Sequence, residues 1–197
     1  MLSRLRKILS ERPKLHIVGT DRPPAAVLIP IYQWGDDYYV IFTQRTHTVS
    51  THKGHISFPG GTREKNDASL LDTALRECAE EVGIARATVD ILGELDDCRV
   101  YFSNYVISPF VGVIPWPYIF TVSETETAEI IQAPISELLD DKCMSEGSEI
   151  IDGEPVPAYF YTYRGKMIWG ATARILKQFL DIWQLASSGP HTSERVG

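Results

Sequence analysis

Residues 60–84, GGTREKNDASLLDTALRECAEEVGI, set a glycine pair, a polar loop and an amphipathic helix in immediate succession, and few folds accommodate that order. Leu71, Leu75, Cys78 and Val82 recur at spacings of four, three and four, the apolar stripe of a helix docked on a core. Asp67 stands ahead of the periodic run as an N-cap. Gly83 occupies the position where a left-handed residue stops a helix, with Ile84 folding back on the last turn. The spacing predicts a helix of about four turns with one buried side.

At roughly 100° per residue, Glu77, Glu80 and Glu81 share about a third of the circumference, away from that stripe, and are expected to point outward together. Carboxylates so placed repel one another by a few tenths of a kcal/mol per pair. Arg76, four residues from both Asp72 and Glu80, offsets part of that charge. Two readings fit the helix: a solvated, salt-bridged surface, or a site for Mg2+ or Mn2+, hard cations that take oxygen ligands and keep waters and phosphate oxygens in their shell. The chain ahead of the helix favours the second. Residues 55–58 read as a short strand, Pro59-Gly60-Gly61 as a turn needing permissive backbone, and the loop to Asn66 leads into the helix. That order brings backbone amides and carboxylates to one place.

The stretch resembles the Nudix box, in which a glycine is followed after five residues by a glutamate and after seven more by Arg-Glu-(apolar)-x-Glu-Glu-x-Gly-(apolar). Arg76 to Ile84 fills the second half completely, whereas Asp67 stands where the glutamate is usual and eight residues separate it from Arg76. That variation, with Thr73-Ala74-Leu75-Arg76-Glu77, is similar to the coenzyme A diphosphatase-like branch. Residues 42–45 (FTQR), 52–61 (HKGHISFPGG), 106–111 (VISPFV) and 168–173 (IWGATA) also look like segments of that branch, with His55 where a glutamine is expected. The resemblance spans roughly residues 25–180 and implies a Nudix-type α/β/α sandwich with a mixed β-sheet.

A length of 197 residues with 44% apolar content supports one substantial core. The expected organisation is an amphipathic helix and lead-in over residues 1–20, a Nudix domain over 21–185 and a disordered tail over 186–197. A net charge of −7 argues against a nucleic-acid surface. Arg4, Arg6, Lys7, Arg12 and Lys14 nevertheless crowd the N-terminus, where Leu2, Leu5 and Leu9 share a helix face that is expected to pack on the domain rather than on a membrane. No apolar run approaches the ~18 residues of a membrane span, so a cytoplasmic protein is expected. Cys78, Cys98 and Cys143 follow no disulfide or metal pattern.

Apolar runs at 25–32 and 38–43 join through Trp34-Gly35-Asp36-Asp37 as a hairpin. Two strands are expected between Ile91 and Val113, one around 128–132, and a second hairpin at 159–163 and 166–169. Ile175, Leu176, Phe179 and Ile182 mark a final helix over about 171–184.

Hydrolysis of a diphosphate requires charge neutralisation, alignment and an activated water. The resemblance gives Glu77, Glu80 and Glu81 as metal ligands and catalytic residues, Arg76 as the organiser of the loop, and Gly60 and Gly61 as the close approach to the site. One of the box glutamates, or Glu126 and then Glu129 from a later loop, is expected to act as base. Arg45, His52, Lys53, Arg63 and Lys65 are the candidate phosphate holders, and Tyr101, Phe102, Tyr105 and Trp116 the candidate stacking residues. The implied substrate is a small-molecule nucleotide diphosphate. Coenzyme A or its acyl derivatives stand ahead of ADP-ribose, dinucleotides and nucleoside triphosphates, and a homodimer is compatible with the sequence. A non-catalytic nucleotide-binding module is the alternative of another class.

Overall fold

A computed structural model describes residues 1–46, 54–101, 104–123, 125–151 and 153–188. In chain order the elements are α1 (Leu2–Glu11), β1 (Pro24–Trp34), β2 (Asp37–Arg45), β3 (Ile56–Ser57), β4 (Gly60–Thr62), α2 (Leu70–Val82), β5 (Asp90–Glu94), β6 (Cys98–Arg99), β7 (Val106–Val113), β8 (Thr127–Pro134), α3 (Ile135–Leu138), β9 (Met144–Ile151), β10 (Glu154–Tyr163), β11 (Lys166–Ile168) and α4 (Gly170–Ser187). Eight strands form a mixed sheet in which β1 and β7 are parallel and the other pairs antiparallel; β9, β10 and β11 form a second sheet.

The sheet is buried on both faces, as the alternation along β1 records. Ala26 and Leu28 face α2 and its stripe of Ala74, Leu75, Cys78 and Val82. Val27, Ile29 and Ile31 face the opposite core, where α4 contributes Ile175, Leu176, Phe179 and Trp183 and α1 contributes Leu5 and Leu9. The result is an α/β/α sandwich.

One topological feature creates the site. β1 and β2 pair only near their turn, from Trp34–Asp37 to Ile31–Val40, and then diverge. The chain from 56 to 62 fills the gap: β3 pairs with Thr43 and Gln44 of β2, and β4 pairs with residues 25–27 of β1. Pro59 bridges them by accepting a hydrogen bond from Leu28 N at 2.9 Å. The glycine pair expected as a turn is therefore a strand. A side chain at Gly60 would meet the Ala26 carbonyl and lie 2.6 Å from the Val27 Cα.

Two further expectations are corrected. Ser69, not Asp67, caps α2, its hydroxyl accepting from Asp72 N at 3.1 Å. Gly83 does end the helix in the left-handed conformation, φ 73°. At the other end of the chain, Ala186 and Ser187, assigned to a tail, complete α4. Strand β9 has no counterpart in the sequence reading because Met144–Ile151 carries neither an apolar run nor a strict alternation.

Burial assigns α1 to the core: Leu5 is fully buried, and Leu9 lies against Gly93 of β5. Leu5→Ala is expected to destabilise the protein by about 2–5 kcal/mol in urea unfolding. A loss under about 0.5 kcal/mol would mean that α1 is peripheral.

Candidate active site

Helix α2 divides its charged residues by depth. Glu81 is 3% exposed, where outward projection was expected. The helical wheel measures angle from the apolar stripe, and β3–β4 wraps the flank of α2 that it leaves open. Gly60 N donates to Glu81 Oε2 at 3.3 Å, and Arg45 Nη1 lies 3.9 Å from Oε1. Glu77, one turn earlier, lies against Gly61, where a Cβ would stand 2.8 Å from its Oε2. Glu80 leaves this group: its carboxylate turns outward to Arg76 Nη1 at 3.0 Å and is largely exposed.

Arg76 ties the helix to the loop before it. Its Nε donates to Asp67 Oδ1 at 3.0 Å and its Nη2 to Asp67 Oδ2 at 3.1 Å, a paired arrangement that fixes orientation as well as charge. Nη2 also reaches the Thr62 carbonyl at 3.2 Å and Glu77 Oε1 at 3.0 Å. Asp67 in turn accepts from Glu64 N at 2.8 Å and from the Thr73 hydroxyl at 2.9 Å, and with the Arg76 guanidinium first among the causes its carboxyl is held far below the usual range. Asp72, expected to pair with Arg76, pairs with Arg86 instead.

The two inner carboxylates have the opposite electrostatics. Burial pushes Glu81 up to about 7; Arg45 and the Gly60 amide oppose the shift, while Glu77 and Glu126 add to it. Glu77 is also raised, by burial first, with Glu80 and Glu126 contributing against Arg76. Glu126, just ahead of β8, thus belongs with these groups, and its main chain is anchored by Thr46 N donating to its carbonyl at 3.0 Å.

These residues open into a cleft of about 680 Å³. Arg45, Gly60, Gly61, Glu77, Glu81 and Glu126 form its polar part, and Val100, Tyr105, Ile107, Ala171 and Trp169 its apolar part. His55 packs edge-on against Trp169, ring centroids 4.7 Å apart. Of the other expected site residues, Arg63 turns back onto the carbonyls of Asp67 and Ala68, and Glu129 forms an ion pair with Lys166 at 2.8 Å; neither lines the cleft. His52, Lys53 and Phe102 lie outside the described residues. Among the aromatic candidates, Tyr105 enters the cleft, while Trp116 stacks on Tyr32 at 4.0 Å and Tyr101 lies under the Arg174 guanidinium. Trp169 was not singled out as a site residue, although a tryptophan directly before a helix with no capping side chain is a visible signal.

Among the described residues no three histidine, cysteine or acidic side chains stand together as a ready chelating cluster. The donor chemistry nonetheless fits a hard divalent cation. Glu77 and Glu81 are both raised first by burial, Glu77 raises Glu81 further, Glu126 adds to both, and all the donors are oxygens.

A model of the NUDIX domain matches residues 21–145. An uncharacterised Nudix hydrolase, NudL, of Photorhabdus laumondii is 35% identical over 154 residues, covering 78% of this chain and 81% of its own. The protein of that name from Citrobacter koseri is 32% identical over 167 residues, covering 85% and 86%. Among solved structures, a MutT/nudix family protein from Enterococcus faecalis superposes with a TM-score of 0.57 at 13% identity, covering 97% of this chain and 71% of its own. The MutT protein of Methanosarcina mazei gives 0.53 at 14% identity, covering 91% and 100%. The two superpositions bear on fold alone.

The chain belongs to the Nudix family. It is a hydrolase of pyrophosphate bonds, a class that generally works with divalent metal ions. No helix among the described residues is long and apolar enough to cross a membrane.

The Glu81 environment has a measurable sign. Its folded pKa lies above the ordinary carboxylate value, so its stability contribution is full in acid and is lost as pH rises through about 7. Chelator-treated protein is expected to melt at a lower temperature at about pH 8 than at about pH 5, and Glu81→Gln to flatten that difference. Equal slopes in the two proteins would contradict the burial argument. The glycines give a second test: Gly60→Ala meets backbone and is expected to destabilise by about 1–3 kcal/mol, whereas Gly61→Ala meets the Glu77 carboxylate first and should lower turnover with little change in unfolding midpoint.

Proposed function

We propose that this protein is a Mg2+- or Mn2+-dependent hydrolase of the diphosphate in coenzyme A or an acyl-coenzyme A, releasing 4′-phosphopantetheine and adenosine 3′,5′-bisphosphate. The observation that carries the reading is the division of the cleft into a carboxylate-and-arginine part and an apolar part. Gly61 on β4 and Ile107 on β7 lie on opposite sides of β1, paired with Ala26 and Ala25, so an occupant touching both spans about 10 Å. A diphosphate with a long, uncharged pantetheine arm has that shape.

In this reading Glu77 and Glu81 hold the metal, and Glu80 joins them only by leaving Arg76. A divalent ion held there would supply charge neutralisation for the diphosphate and a more acidic attacking water. Arg45 supports the phosphate: its Nε is buried and has no hydrogen-bond partner among the described residues, and a phosphate oxygen is the acceptor its surroundings lack. Glu126 is the favoured base, with Glu129 set aside because its carboxylate is committed to Lys166. Arg76 and Asp67 act at one remove, holding the loop between β4 and α2 and, through the Thr62 carbonyl, the strand that carries Gly60 and Gly61. His52 and Lys53 remain candidate phosphate holders, and Trp169 with Tyr105 borders the adenine or the pantetheine arm. Water attacks one phosphorus, the P–O–P bond breaks, and each product keeps one phosphate of the former diphosphate, the adenosine product carrying its 3′-phosphate as well.

Product analysis by chromatography and mass spectrometry over coenzyme A, acetyl-coenzyme A, ADP-ribose, dinucleoside polyphosphates and deoxynucleoside triphosphates tests the reading. Coenzyme A or its thioester is expected to give the highest kcat/KM, and chelation to abolish turnover. Preferential cleavage of another member would reassign the substrate, and binding without cleavage would favour a non-catalytic module. Glu81→Gln should lower kcat on the order of 10³-fold with the fold intact.

A further inference from the structure

We infer that the free edge of β9 is a self-association surface that takes a second copy of this chain through antiparallel pairing about a two-fold axis centred on Gly147. Among the described residues β9 is the outer strand of the three-stranded sheet, which runs β11-β10-β9, and it pairs with β10 alone. It pairs with β10 without a register shift from Met144–Tyr161 to Ile151–Glu154. The base of this hairpin is anchored by the buried Tyr161 and Tyr163. Its outer half is open to solvent: Gly147, Ser148, Gly153, Pro155 and Pro157 are exposed, and Ile150 is 70% exposed.

A two-stranded hairpin is marginally stable in water by itself, and an exposed edge is a template for another strand. Natural edges are commonly blocked by proline, lysine or a bulge. Met144–Ile151, MSEGSEII, has neither residue, and its pairing with β10 shows no bulge. What it has are two glutamates, and they select a register.

Two identical edge strands related by a two-fold axis run antiparallel, with one residue opposite itself at the axis. Centring the axis on Glu146 or Glu149 sets like charges face to face, which is unfavourable. Centring it on Ser148 sets Glu146 against Ile150 of the second copy. Centring it on Gly147 sets Glu146 opposite Ser148, Glu149 opposite Ser145, and Met144 opposite Ile150. That register alone gives every glutamate a hydroxyl and the exposed isoleucine an apolar neighbour. Because opposed residues share a face, Met144 and Ile150 also extend the side of the sheet that carries Tyr159 and Tyr161. The two small sheets become one six-stranded sheet.

No residue of β9 lines the cleft, so the test of this surface is separate from that of the hydrolase reading. Sedimentation velocity over a concentration series is expected to show a monomer–dimer equilibrium. Ser148→Glu places like charges opposite Glu146 twice in the dimer and should weaken association roughly tenfold, whereas Ser148→Lys should strengthen it. Circular dichroism melting checks that both variants fold, and hydrolase activity per chain is expected to be unchanged. A wild-type protein that is monomeric throughout the series overturns the proposal. So does a dimer indifferent to Ser148→Glu, or one that Ser148→Lys weakens, since Ser148 would then lie outside the interface or opposite itself.

Discussion

The site depends on the gap between β1 and β2. A hairpin that stayed paired along its whole length would present a continuous sheet under α2, with no opening for a carboxylate. Here the partners part after four residue pairs, and β3 and β4 occupy the space with their own hydrogen bonds. The fit requires a residue without a side chain where β4 crosses closest to the β1 backbone, and Gly60 supplies it. The amide of that glycine is the one that Glu81 uses. The close approach that forbids a Cβ is therefore also what gives a buried carboxylate a donor.

Charge is distributed around this gap so that the frame is satisfied and the centre is not. Asp67 and Arg76 each have several partners, and their ion pair ties the loop to α2 without using any group of the cleft's inner carboxylate Glu81. Glu81 is burdened by burial and by Glu77, and Glu77 by burial and by Glu80 and Glu126, with a single amide and two arginines to relieve them. Such an arrangement is unfavourable for folding and favourable for binding a cation, because the ion gains whatever the carboxylates lack. The large cores on both faces of the sheet hold the fold together independently of it.

Much of this was legible in the letters because it is local. The stripe of α2, its glycine stop, the first hairpin and the last helix follow from spacing alone. The misreadings around the site share one cause, which is contact with residues outside the local pattern being read. Asp67 looks like a cap because it precedes the helix, but Arg76, nine residues on, claims it and leaves Ser69 to cap. Glu81 looks exposed because a helical wheel contains no β4. Glu126 and Glu129 are equivalent as letters, yet the pairing of Glu129 with Gln44 across β8 and β2 brings it to Lys166, while Glu126 precedes the strand and reaches the cleft. The apolar wall of Val100, Ile107 and Trp169 was invisible for the same reason, its members coming from separate stretches of the chain that only the fold brings together.

The rotation of α2 about its own axis then decides which acid does what. Arg76 and Glu80 are one helical turn apart on the outer flank, and Glu77 and Glu81 one turn apart on the inner flank, so the two pairs differ by about 100°. Turning the helix by one residue would bring Arg76 and Glu80 into the gap and expose the other two. Leu75, Cys78 and Val82, buried against β1, oppose that turn, and so does Gly83, where a side chain would stand 2.8 Å from Thr121 N. The apolar stripe and the helix stop thus select the inner carboxylates without touching them, and a core substitution that let α2 rotate would disable the site with every acidic residue still present.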